Sequence, residues 1–164
     1  MRFYFLVLIL CLFGFSGLAQ VLVTPASGGT TICRNKAVGG IAPAFTTVGS
    51  ISITEGGVTD FYGGSGGVPA TNVVVIVPPA GWQFGTALPA VTFSPGANVT
   101  AVSCSVTGTS LTVNITTLGS AAYDQVTITG LQVQATSTSS SSGNIYATSV
   151  SGVTGITTGS SGTN

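Results

Sequence analysis

The stretch Val102-Ser103-Cys104-Ser105-Val106-Thr107-Gly108-Thr109-Ser110-Leu111-Thr112-Val113-Asn114-Ile115-Thr116 decides the fold class. Val102, Cys104 and Val106 alternate with Ser103 and Ser105. Leu111, Val113 and Ile115 then alternate with Thr112, Asn114 and Thr116. Successive side chains of an extended chain point to opposite faces, so a period of two marks a strand with one apolar face. Thr107-Gly108-Thr109-Ser110 between the two runs reads as a hairpin turn.

The same period recurs on either side. Ile51 and Ile53 alternate with Ser52 and Thr54, and Trp82 and Phe84 flank Gln83, which points both aromatic rings at the core. Val73 to Val77 is continuously apolar, so it is expected to be buried on both faces or to face a partner, and Pro78-Pro79 ends it. Val126 and Ile128 share one phase, whereas Leu131, Val133 and Ala135 share the other. Gly130 stands at the switch, where a β-bulge would let both halves face the core. No window carries sustained helical spacing. Runs near Leu22, Thr31, Ile51, Val75, Phe93, Val102, Val113, Leu131 and Tyr146 suggest about seven to nine strands, an all-β chain of the sandwich type.

The first residues speak to compartment. Arg2 precedes an apolar run from Phe3 to Phe15 and then Ser16-Gly17-Leu18-Ala19, the parts of a secretory signal peptide. The run is shorter than the roughly 20 apolar residues that a spanning helix needs. Cleavage is expected after Ala19, with a retained membrane anchor as the alternative. The expected organisation is a signal peptide over 1–19, a strand-like arm over 20–30, a sandwich domain over 31–157 and a flexible tail over 158–164. After cleavage the protein is expected to be secreted or held at the extracellular surface, without a membrane segment.

Charge excludes whole classes of function. The 164 residues contain three Lys or Arg, three Asp or Glu and no His, where about one residue in four is charged in an ordinary domain. Beyond the leader only Arg34, Lys36, Glu55, Asp60 and Asp124 are charged. Nucleic-acid binding needs a basic footprint and attraction to anionic membranes needs clustered cations, and the chain has neither. Disorder goes with low hydrophobicity and high net charge, so it is not expected of the main body.

Cys11 lies in the leader, which leaves Cys33 and Cys104, an even pair in an oxidising compartment. A Cys33–Cys104 disulfide is expected on those grounds, with two free buried thiols as the alternative.

Candidate chemistry is sparse. Gly63-Gly64-Ser65-Gly66-Gly67 matches the spacing of a serine nucleophile elbow, but with no histidine in the chain a Ser/His/Asp triad cannot be built, and a glycine-rich turn is the better reading. The segment also lacks the lysine of a phosphate-binding loop. Glu55, Asp60 and Asp124 are few for a glycosidase pair or for calcium, which gathers several carboxylates. Zinc would find only two cysteines. The expectation is a protein that is not an enzyme and has no metal and no cofactor. Tyr62 and Tyr123 are the candidate aromatics for stacking on a sugar. Asn98-Val99-Thr100 and Asn114-Ile115-Thr116 are glycosylation sequons, of which Asn114 lies on a polar face.

Four stretches carry a resemblance: Cys33-Arg34-Asn35-Lys36-Ala37-Val38-Gly39-Gly40, Ser50-Ile51-Ser52-Ile53-Thr54-Glu55-Gly56, Pro79-Ala80-Gly81-Trp82-Gln83-Phe84 and Val126-Thr127-Ile128-Thr129-Gly130-Leu131-Gln132-Val133. Together, over Thr31 to Thr157, they resemble immunoglobulin-like or cohesin-like β-sandwich modules of bacterial secreted and cell-surface proteins. The resemblance implies a two-sheet immunoglobulin-like sandwich and transfers no binding residue.

An exported domain without catalysis acts by binding or assembly. The leading expectation is a structural or adhesive surface subunit that assembles with itself or with other surface proteins into fibres. Five charges are too few to guard the edges of two sheets. The Gln20–Pro25 arm, with Val21, Leu22 and Val23 as its assembly strand, could complement a neighbour's sheet, or it could pair within its own domain. The alternative function is a monomeric carbohydrate-binding or adhesion module with a polysaccharide partner. A third reading, a fragment of a longer adhesin, would be decided by coding sequence after Asn164.

Overall fold

Thr107 closes the central hairpin. Its N–H donates to Ser110 O (2.8 Å), and its hydroxyl oxygen accepts from the N–H groups of Thr109 (3.3 Å) and Ser110 (3.0 Å). A threonine that satisfies the turn through both backbone and side chain fixes the register of the two strands it joins. In the computed structural model, which describes residues 21–29, 32, 34–94 and 98–159, those strands are Val99–Val106 and Leu111–Thr117, with Cys104 opposite Val113 and Val106 opposite Leu111.

Eleven strands occur among the described residues, against the seven to nine expected. They are β1 (Leu22–Thr24), β2 (Thr46–Thr47), β3 (Ile51–Thr54), β4 (Ala70–Val77), β5 (Trp82–Phe84), β6 (Ala90–Phe93), β7 (Val99–Val106), β8 (Leu111–Thr117), β9 (Gln125–Thr129), β10 (Gln132–Ala135) and β11 (Tyr146–Ser151). There is no α-helix among the described residues, and a 3-10 turn spans Arg34–Lys36. All pairings are antiparallel, in three sheets ordered β1-β3-β9-β6, β2-β10-β5 and β11-β4-β8-β7.

The short β2 and β5 and a division at Gly130 add strands beyond the expected runs, while Thr31, the centre of one expected run, lies outside the described residues. Gly130 has φ +77°, a conformation glycine adopts without steric cost, and it divides one apolar run into β9 and β10. Val126 and Ile128 before it are buried, and so are Leu131, Val133 and Ala135 after it. The extra residue resets the phase so that both halves face inward. β9 pairs with β3 and β6, while β10 pairs with β2 and β5.

One hydrophobic cluster draws on all three sheets. It includes Ile51 and Ile53 of β3, Val74 and Ile76 of β4, Phe84 of β5, Leu111, Val113 and Ile115 of β8, Val126 and Ile128 of β9, and Val133 of β10. Fully burying a side chain of this size contributes about 1.5–3 kcal/mol. The three apolar residues of β8 are completely buried because β8 has a neighbour on each side, β4 and β7. Antiparallel sheets packed around a shared core fit the β-sandwich class.

The apolar run in β4 is buried on one face only. Val74 and Ile76 are buried, while Val73, Val75 and Val77 are half-buried. Trp82 is likewise half-buried against the core, and its indole N–H reaches out to donate to Ser141 O (2.8 Å), whereas Phe84 is fully enclosed.

Candidate functional site

Side-chain chemistry concentrates at one end of the molecule, where β3 ends and β9 begins. Glu55 follows β3, Asp124 precedes β9, and Asp60 lies in the loop between β3 and β4. These are the only three acidic residues in the chain, and all three are buried. The backbone brings Glu55 and Asp124 side by side, because Glu55 N donates to Asp124 O (3.0 Å) as the β3–β9 pairing ends.

Two of the carboxylates organise loops. Glu55 accepts from the N–H of Phe61 (2.8 Å) through Oε1 and from the N–H of Asp124 (2.8 Å) through Oε2. Asp60 Oδ2 accepts from Gly56 N (2.9 Å) and Gly57 N (2.8 Å), and its Oδ1 accepts from the Thr154 hydroxyl (3.0 Å). Asp124 differs. It is 1% exposed, and neither carboxylate oxygen has a hydrogen-bond partner among the described residues. A buried polar atom without a partner is uncommon and costly.

Charge compensation is remote. Arg34 lies at the opposite end of the β9–β10 run, where its Nε donates to Thr138 O (2.7 Å). Glu55 is held above its ordinary carboxylate value. Burial is the main cause, and the neighbouring charges of Asp124 and Asp60 add to it against the two N–H donors. Among the described residues no group of three His, Cys, Asp or Glu is arranged to hold a metal ion. The oxygens of Glu55 and Asp60 are already engaged by loop donors.

A second polar centre lies nearby, and sequence reading missed it. Asn72 of β4 is completely buried. Its Oδ1 accepts from Tyr62 N (3.0 Å), and its Nδ2 donates to Tyr62 O (3.1 Å), Ile115 O (3.3 Å) and Thr117 Oγ1 (2.8 Å). The Thr117 hydroxyl also donates to Tyr62 O. The signal was present as an amide in front of an otherwise apolar run, Asn72 before Val73–Val77.

These contacts pin the loops that carry the candidate aromatics. Gly119 N donates to Gly63 O (2.7 Å), so the loop after β8 is tied to the one before β4. Tyr62 and Tyr123 stand on these two linked loops and are 56% and 62% exposed. The Gly63–Gly67 segment is a tight turn, with Gly64, Gly66 and Gly67 all at positive φ. A side chain at Gly63 would run into the Gly119 carbonyl. The sequon residue Asn98 is buried and committed to the fold. Its Oδ1 accepts from Ala121 N (2.9 Å) and its Nδ2 donates to Ala122 O (2.7 Å). Asn114 is half-buried.

The remaining sequence candidates lie along the sides. Val21 is buried in the core, and Leu22–Thr24 form β1, paired with β3 of the same chain through Leu22–Thr54, Val23–Ile53 and Thr24–Ser52. Between β1 and the segments around β11 lies an apolar cavity of about 290 Å³, lined among others by Val21, Val23, Ile53, Ile76, Ala147 and Ile156. On the other side, Cys104 has no disulfide partner among the described residues; its Sγ donates to Pro89 O (3.5 Å), and burial raises its pKa. Cys33, the other half of the expected bridge, lies outside the described residues. So do the expected leader over 1–19 and the end of the tail. No helix among the described residues is long and apolar enough to cross a membrane.

No family model, no curated protein and no solved structure matches the chain. The functional reading therefore stands on the residues and their geometry.

Proposed function

We propose that this chain is a secreted, non-enzymatic structural or adhesive subunit of the cell surface, built as an immunoglobulin-like two-sheet sandwich and able to assemble with copies of itself. The observation that carries the reading is the placement of charge. None of the eleven strands contains a charged residue: Arg34 and Lys36 sit in the 3-10 turn, and the three acids are buried in loops. Soluble β-proteins ordinarily protect sheet edges with charge, and this one does not.

The strand-exchange form of this reading assigns the exchange to β1. β1 is short, lies at a sheet edge, and borders a partly empty apolar cavity. In a fibre the same Val21, Leu22 and Val23 would pair with the β3 strand of a neighbour in place of their own, with the residues around 25–29 as the hinge. A bridge between Cys33 and Cys104, which would take the place of the Cys104–Pro89 hydrogen bond, belongs to this proposal, as does export by the leader.

The test is electron microscopy and size analysis of the processed chain beginning at Gln20. Fibres or heavy oligomers are expected. A stable monomer retained on an immobilised polysaccharide would replace this reading with the carbohydrate-binding one, which the exposed Tyr62 and Tyr123 on tethered loops support.

A further inference from the structure

The edges of the three sheets are not equally defended. β1, β2 and β5 have three, two and three residues, too short to template another chain. β6 has four and follows Pro89 directly. β11 is interrupted by a register shift between Ala147 and Ser149. Short length, proline and bulging are the recognised ways to blunt an edge when charge is absent.

β7 has none of these where it matters. It is eight residues long and has β8 as its one hydrogen-bonded strand neighbour among the described residues. Its irregularity lies at the start, between Val99 and Ala101, after which Ala101 to Val106 runs in regular register. That stretch contains no proline and no charge. Its outward residues Ala101, Ser103 and Ser105 are exposed and small, while Val102, Cys104 and Val106 turn toward the core. β6 lies against β7, and Cys104 bonds to Pro89 O just before β6, while the outward Ala101, Ser103 and Ser105 remain exposed.

We infer that β7 is a self-association edge, pairing antiparallel with β7 of a second copy to join two β11-β4-β8-β7 sheets into one eight-stranded sheet. A two-fold axis through an edge strand makes the contact self-complementary and closed. The sheets keep their faces only in registers that put outward residues opposite outward residues. Ser103 then meets Ala101, Ser103 or Ser105 of the partner strand. Small side chains at these points allow close approach, and no like charges oppose each other. The contact is separate from the β1 exchange proposed above and would form a dimer whether or not fibres grow.

Sedimentation of the processed chain over a concentration series tests this, with circular dichroism as the check on folding. A monomer–dimer equilibrium is expected. Ser103→Lys sets an ammonium against its own copy or near it and should weaken the dimer about tenfold or more while the β spectrum is retained. Ser105→Glu gives an independent second variant with the same expected loss. Ser149→Lys, on the bulged β11 edge, should leave the dimer unchanged. A wild-type chain that stays monomeric, or a dimer that survives both β7 variants, overturns the inference. Micrographs of the same samples read the β1 proposal separately: dimers without fibres overturn only the exchange.

Discussion

The two lateral seams between the β1-β3-β9-β6 and β11-β4-β8-β7 sheets are built differently. On one side β6 lies against β7, the Cys104 thiol meets Pro89 O, and β7 is paired along nearly its whole length with β8. On the other side the margins are the three-residue β1 and the bulged β11, and about 290 Å³ of apolar space remains between them. The same alternating strands feed both seams. Contact between β6 and β7 at one side thus coexists with a partly open apolar pocket at the other. Native interiors are packed to crystal-like density, and a half-open apolar pocket leaves this margin less completely packed than the other.

Substitutions can break that contrast. Leu111→Ala, directly opposite Val106 of β7 and fully buried, removes packing on the filled side and should cost about 2–5 kcal/mol in a denaturant titration. Val21→Ala removes roughly two methyl groups from a wall that already borders empty space, and should cost only about 1–2 kcal/mol. Equal losses at the two positions would show that the seams are packed alike. Ala26→Leu extends a side chain into the cavity and should stabilise by about 0.5–2 kcal/mol, seen as a raised unfolding midpoint. A fall in the midpoint would mean that the space is not available to it.

The smallest expected effect concerns pH. Glu55 is held above its ordinary value of 4.5 in the folded protein. Its protonated form is therefore favoured on folding, and this contribution is complete below that ordinary value and is lost as pH rises through the folded one. Unfolding midpoints should be modestly higher near pH 4 than near pH 7. Asp124→Asn removes one of the charges that raise Glu55 and should flatten this dependence while stabilising the protein at neutral pH. A midpoint that climbs steadily from pH 4 to 7 would contradict this account of the buried acids.

Particular residues show how far the sequence could be read. Thr107–Ser110 announced a hairpin, and the hydrogen bonds of Thr107 close it. Gly130 announced a change of phase and sits at φ +77° with both flanking runs buried. Nothing lies within 4 Å of a side-chain position there, so the requirement for glycine comes from the backbone conformation alone. By contrast, the run Val73–Val77 suggested two buried faces and has one, because what covers a strand depends on segments far away in the chain. Leu22 and Val23 looked like a strand, but only the pairing with Ile53 and Thr54 assigned that strand a place in its own domain.

Local alternation, a hydroxyl-rich turn and one glycine were enough to determine that this chain is all-β and where its faces lie, because side-chain direction along a strand follows from backbone geometry alone. The gathering of Glu55, Asp60 and Asp124, the burial of Asn72 and Asn98, the unequal seams and the undefended β7 edge were decided only in three dimensions. Each depends on which distant strands become neighbours and in what register, and that is settled by the packing of the whole core.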